Sequence, residues 1–277
     1  MDSSAGTTAA NARRVLFCSF LIFSLAGCVR VSRYLYLNNC DREIKKATKS
    51  IEATKNSAQQ AAAYADRGDA YAEKARYSRA FKLISGEEYE RLFEQAVKDH
   101  DRSIVLDPDN AEMYYRRGRT FYFRAALDLM DGRKSQGFFP PAKADFSKAV
   151  EKNPRHDMAY DMRGLIDEDT DDLDGAISDF AQEAALNPRS RYRLADAYCL
   201  RGSLYLKEKK YDPAVPDFEK SIDVGSSSDG CECEPYNPLI AIYLDQQDYG
   251  KARTVADRAQ KAGKSIASEY RDRLNGH

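Results

Sequence analysis

The chain has 277 residues, 43% of them hydrophobic and 31% charged, with 15 glycines and nine prolines, and a mean hydropathy of −0.66. That is apolar matter enough for a core with few helix breakers, so helices are favoured over strands. A net charge of −1 provides no broad positive field to hold a phosphate backbone, which argues against a nucleic-acid partner.

At the N-terminus, Arg13-Arg14 precede an apolar run from Val15 to Ala26 that ends at Gly27-Cys28. A helix needs about 20 apolar residues to cross a bilayer, and this shorter run behind a basic flank has the layout of a secretory signal. Leu25-Ala26-Gly27-Cys28 resembles the lipobox of bacterial lipoproteins. The resemblance implies loss of residues 1–27, diacylation of the Cys28 thiol and a membrane anchor there. Val29 stands where inner-membrane retention would place Asp, so the same resemblance implies the outer membrane, facing the periplasm. A plain signal or anchor with an incidental cysteine is the alternative. Residues 28–60 read as a lipidated tether and thinly amphipathic polar helix, with Ile44 and Ile51 seven apart.

An Arg-Gly pair then recurs at Arg67-Gly68, Arg117-Gly118, Arg163-Gly164 and Arg201-Gly202. Each is followed by Ala-x-x-Asp and a ring residue: Ala96 to His100, Ala142 to Phe146, Ala176 to Phe180, Ala214 to Phe218. Small residues on both helices of a hairpin let the backbones approach, with bulky neighbours filling the groove. Asp107-Pro108, Asn153-Pro154 and Asn187-Pro188 stop three of the second helices, because proline lacks an amide and disfavours helical geometry in the residue before it. Gly164, Ala176, Phe180 and Pro188 lie at the spacing of the tetratricopeptide-repeat family, which the region 61–263 resembles. The resemblance implies an all-α, right-handed superhelical solenoid of antiparallel hairpins, about five repeats, that binds a protein partner and is not an enzyme. The glycines are 50, 46 and 38 residues apart, against about 34 in the family unit, so the first two repeats are enlarged. Ser85-Gly86-Glu87-Glu88 reads as a stop and a new N-cap inside the first of them. A degenerate fifth unit carries Tyr236, Tyr243, Tyr249, Ala252 and Ala259, and residues 264–277 read as a polar closing helix.

Arg and Asp recur together, as Arg67 with Asp99, Arg117 with Asp145, Arg163 with Asp179 and Arg201 with Asp217, whereas the fifth unit has Leu239 and Val255 in their places. Joint loss of both charges predicts an ion pair across each hairpin, since half a pair would strand a buried charge. The resemblance places a concave partner groove on the first helices, through Glu112, Tyr115, Arg119, Tyr122, Met158, Asp161, Leu165, Glu168, Asp196, Ser203 and Lys207. Such a mixture of aromatic and charged groups suits an extended peptide or a partner helix. The acidic tract from Asp167 to Asp174 lies across a helix end and the next helix start, where a dipole-favoured cap is preferred over a calcium loop.

In an oxidising compartment Cys199 is expected to bridge to Cys231 or Cys233 across the Gly225 to Pro235 joint. No second Cys/His pair accompanies Cys231 and Cys233 at metal-ligand spacing, so no metal is expected. Without a phosphate loop, nucleophile elbow or paired catalytic histidine, neither cofactor nor catalytic residues are expected. The sequence therefore reads as an adaptor holding another envelope protein or peptide segment. A structural envelope bridge, or a hydrolase with an unrecognised site, is the alternative.

Overall fold

The computed structural model describes residues 28–132, 137–225 and 233–276. The expected signal at 1–27 and Cys231 lie outside the described residues. The fold is all-α, a helical solenoid built from hairpins, and it divides into two compact units, 1–170 and 171–277.

The first unit holds α1 (Cys28–Ala53), α2 (Ser57–Ala80), α3 (Gly86–Leu106), α4 (Ala111–Met130), α5 (Phe139–Lys152) and α6 (Asp157–Asp169). Ser85 caps α3 by accepting the Glu88 amide at 3.2 Å, and Asn110 caps α4 by accepting that of Glu112 at 3.1 Å. The enlargement of the first repeat lies in helix length, 24 residues in α2 and 21 in α3, against 13 in α6. The polar insertion of the second repeat is a loop after α4, of which 133–136 are outside the described residues. Pro140 and Pro141 sit in the first turn of α5, where their missing amides have no intrahelical role.

The region 28–60 departs from the expected tether. Helix α1 is packed along α2: Cys40 and Ala47 are buried, the Tyr36 and Tyr77 rings stack 4.2 Å apart, and the Tyr36 hydroxyl donates to Glu73 at 2.9 Å. Its few apolar residues suffice because α2 offers small side chains beside it, Ala63 and Ala70 among them. The repeat packing thus begins before residue 61.

The second unit holds α7 (Leu173–Leu186), a 3-10 turn at Pro188–Ser190, α8 (Arg191–Lys207), α9 (Tyr211–Val224), α10 (Tyr236–Asp245), α11 (Tyr249–Lys261) and α12 (Ser268–Asn275). Its core runs from Phe218 and Ile222 through Leu239, Ile240, Ile242 and Tyr243 to Val255, and Ile266 and Leu274 close the end. The closing helix is therefore seated by two apolar residues rather than wholly polar.

Hairpin crossings depend on the repeat glycines. A Cβ on Gly118 would stand 2.9 Å from Phe146 Cε1 and 3.0 Å from the Asp145 Cβ, and one on Gly202 would stand 3.1 Å from Phe218 Cε1. Gly118→Ala should cost roughly 1–3 kcal/mol, the usual penalty for an added carbon in a packed contact. Denaturant titration measures it, and an unchanged midpoint would mean that the crossing is looser than these distances require.

Candidate functional site

Arginines bind the hairpins internally. Arg67 donates Nε and Nη2 to Asp99 at 2.7 and 2.8 Å, Arg117 donates to Asp145 at 2.9 and 2.7 Å, and Arg201 donates to Asp217 at 2.7 Å through both nitrogens. The same side chains also reach the helix before their own hairpin. Arg67 contacts Thr48 of α1 at 3.3 Å, Arg117 contacts Asp101 of α3 at 2.6 Å, and Arg201 contacts Asp174 of α7. Arg163 donates to Ser147 of α5 at 3.2 Å. Its expected partner, Asp179, lies on α7 in the other unit.

The inner sides of α2 and α4 carry a ladder of charge. Arg116 donates to Asp66 at 2.8 Å and to Glu112 at 2.9 Å, and lies 3.2 Å from Asp69. Arg119 donates to Asp69 at 3.0 Å. His156, at the start of α6, stands 3.3 Å from Glu112. Burial pushes the Asp69 carboxyl above the ordinary carboxylate range despite Arg119 and Arg116. At Glu112 burial pushes the same way, but the bonds from His156 and Arg116 outweigh it and hold the carboxyl low. Beside this ladder α1, α2 and Arg116 enclose an open groove of about 640 Å³, floored by Ala47, Ala62, Ala63 and Ala70 and rimmed by Glu43, Asp66 and Glu73.

Several residues expected to line a concave groove do not face solvent. Tyr115 is 3% exposed and Tyr122 0%, because α6 stacks on the side of α4 that a single hairpin would leave open, and Leu165 on α6 is 9% exposed. Tyr115 packs its ring 4.8 Å from that of His156. Arg119 and Glu112 are consumed by the ladder. Met158 is exposed, while Asp161 and Glu168 are half-buried and engaged with other groups. In the second unit Ser203 Oγ lies 3.9 Å from Cys233 Sγ, Asp196 accepts the Cys233 amide at 3.3 Å, and Lys207 is exposed at the end of α8. The structure thus brings Glu112 and Arg119 into one network, with Tyr115 against its His156 and Arg119 and Met158 beside the Tyr115 hydroxyl.

Cys199 is bonded to Cys233, with Cα atoms 6.0 Å apart. The acidic tract is used structurally: Asp172 caps α7 by accepting the Gly175 amide at 3.0 Å, Lys143 pairs with Asp167, and Asp174 pairs with Arg201. Among the described residues no group of three His, Cys, Asp or Glu side chains is placed to hold a metal, and no helix is long and apolar enough to cross a membrane.

Of two further clusters, the first has no counterpart in the sequence expectations and the second is expected from the sequence only as a packed ring. Arg124 is 7% exposed, lies over the rings of Tyr89, Phe93 and Phe138 at 4.8, 5.2 and 4.8 Å, and donates to Asp128 at 3.0 Å and Glu90 at 2.8 Å. It ties the lengthened first hairpin to the second. The only hint in the chain is a spacing of four between Arg124 and Asp128. The other is His100, fully buried where the other hairpins have phenylalanine. Its Nε2 lies 3.1 Å from the Thr120 hydroxyl, which itself donates to the Arg116 carbonyl, while Nδ1 has no partner. Burial, with Arg116, Arg119 and Arg117 nearby, holds His100 down at about 3.

A family model for the tetratricopeptide repeat matches residues 195–224, which are α8 after its first turn and all of α9. One hairpin of the chain, α8 with α9, thus carries the tetratricopeptide-repeat pattern. Among solved structures it is similar to MamA, with 22% identity, a TM-score of 0.39, and coverage of 64% of this chain and 92% of that one. YrrB, described as a TPR protein with an unusual peptide-binding site, is 17% identical with a TM-score of 0.43 over 78% of this chain and 91% of its own. A thermophilic TPR protein of Thermus thermophilus is 17% identical with a TM-score of 0.36 over 67% of this chain and 91% of its own. No residue role is carried across at these values. A search of curated proteins found no match to the sequence.

Because its folded-state pKa lies below the unfolded value, His100 supports the fold fully above about pH 6.5, and that support is lost as pH falls toward 3. His100→Phe should remove this loss. Between roughly pH 7 and pH 4 the stability of the variant relative to wild type should rise by about 2–3 kcal/mol. Urea unfolding at both pH values measures it, and parallel losses would show that His100 does not set the acid response.

Proposed function

We propose that this chain is a non-catalytic adaptor lipoprotein of the bacterial cell envelope that holds a cationic segment of another envelope protein in the groove between α1 and α2. The observation carrying this reading is the groove itself. Its floor is alanine, so a backbone can approach closely, and Glu43, Asp66, Asp69 and Glu73 outnumber Lys46 and Arg116 along it. Repeat hairpins are scaffolds that present such surfaces, and excess carboxylate favours a positively charged guest. Asp66 has a side chain 65% exposed and Glu43 one 43% exposed, so both reach solvent without holding up the core. The lipobox-like Leu25-Ala26-Gly27-Cys28 supports an anchor at Cys28 and export to the periplasmic side of the outer membrane.

Two measurements test it. Partner capture with photo-crosslinking from envelope fractions should recover a specific protein with wild type and lose it, by about tenfold or more, with Glu43→Lys and Asp66→Lys together, as expected when two charge contacts of about 1 kcal/mol turn repulsive. An unchanged partner set would reject the groove. Mass spectrometry of the membrane-bound protein should find an N-terminus at Cys28 carrying diacylglycerol. A free Cys28 thiol behind an intact N-terminus would reject the anchor.

A further inference from the structure

Helix α1 has two unlike faces. Tyr36, Cys40, Ala47 and Thr48 face α2, through the ring stack on Tyr77, burial and the bond from Arg67. On the opposite side Leu35, Asn38, Arg42, Lys45 and Lys49 are all exposed, at spacings of three, four and seven that align them in one stripe. Lys45 and Lys49 hold no carboxylate among the described residues, and Arg42 has only Asn39 and a Glu43 oxygen 3.8 Å away. The arginines packed between helices of the first unit differ: Arg67, Arg76, Arg79, Arg116, Arg117, Arg119 and Arg124 each hold a carboxylate. An open cleft of about 520 Å³ runs along Arg42, Lys45, Lys46, Lys49, Ser50 and Ala53. Of the acidic residues near it, Asp41 is taken by Lys74 at 2.6 Å, Glu43 is shared between Arg42 and Lys46, and Glu52 is left as the one opposing charge on the exposed side.

We infer that this outer stripe of α1 is a docking surface for an anionic lipid bilayer, on which the helix lies flat. The choice of lipid over an acidic protein rests on the proposed anchor at Cys28, the first residue of the same helix. It also rests on Leu35, 60% exposed at the end of the stripe nearest that cysteine. An amphipathic helix in the interface puts its apolar residues at the acyl boundary and its cations among the phosphates. At 1.5 Å per residue, Lys49 is about 30 Å along the axis from Cys28, whereas charge attraction fades over about 8 Å at physiological salt. An upright helix would therefore carry Arg42, Lys45 and Lys49 out of range, and a flat one keeps all three at the headgroups.

The test uses the mature chain of the proposed function, residues 28–277 with Cys28→Ser, so that neither lipid nor signal contributes, and vesicles of phosphatidylcholine with or without phosphatidylglycerol. Each surface cation adds about fivefold to anionic-membrane affinity, so three should favour the phosphatidylglycerol vesicles by about 100-fold at low salt, and about 0.5 M salt should erase the preference. Arg42→Gln, Lys45→Gln and Lys49→Gln together should lose it while keeping the wild-type circular dichroism. Each single change should cost about fivefold, which gives an answer should the triple variant misfold. Residues 1–27, which carry Arg13, Arg14 and an apolar run of their own, are absent from every protein compared. Equal wild-type binding to both vesicles, or a folded triple variant that retains the preference, would overturn the inference. So would charge-dependent binding of polyglutamate without any vesicle preference, which would give the face to an acidic protein. Failure of the anchor appears separately, as an unmodified Cys28 mass in the membrane-bound wild type.

Discussion

The fold depends on an arginine that precedes the repeat glycine, at Gly68, Gly118 and Gly202. Its guanidinium is planar and bidentate, so it closes on a carboxylate across the hairpin and still has a nitrogen for the helix before. Arg117 holds Asp145 and Asp101 together, and Arg201 holds Asp217 and Asp174. One side chain thus fixes both the hairpin and its stacking on the preceding helix. The cost is visible at Asp145, where burial pushes the carboxyl upward against the pull of Arg117. A buried carboxylate of this kind is tolerable only while its partner is present, which accounts for the fifth unit lacking both.

The same pattern explains the place of α1. Thr48 meets Arg67 from the position in which Asp101 meets Arg117, so α1 packs on the next hairpin as the second helix of a repeat does. A solenoid whose first helix ended bare would leave its packing face wet, and α1 covers that face while turning a polar, cationic stripe outward. The groove between α1 and α2 exists because α2 is built from alanines there, which keeps the two helices close without filling the space between them.

Phe146 packs over Gly118 and Phe218 over Gly202, and His100 over Gly68 is the departure. A ring that must stay neutral to remain buried replaces one with no charge at all, and its partner Thr120 is polar to match. Arg124 shows the opposite solution, in which a charge is buried under three rings and two carboxylates so that the lengthened first repeat cannot slide on the second.

Residues acting within a hairpin were readable from the chain. The glycines, the alanines, the Ser85 cap, the proline stops and the joint recurrence of arginine with aspartate all express contacts at fixed spacing, and spacing is recorded along the sequence. Burial imposed by the next hairpin was not. Tyr115 and Tyr122 sit at positions that a lone hairpin would expose, and α6 covers them; the seating of α1, the Arg124 box and the choice of Cys233 likewise come from segments distant in sequence. The sequence alone determined an all-α repeat and the pairs that close each hairpin, because those are local. Only the tertiary structure decided which faces remain open to a partner or a surface, because that depends on what each helix lies against.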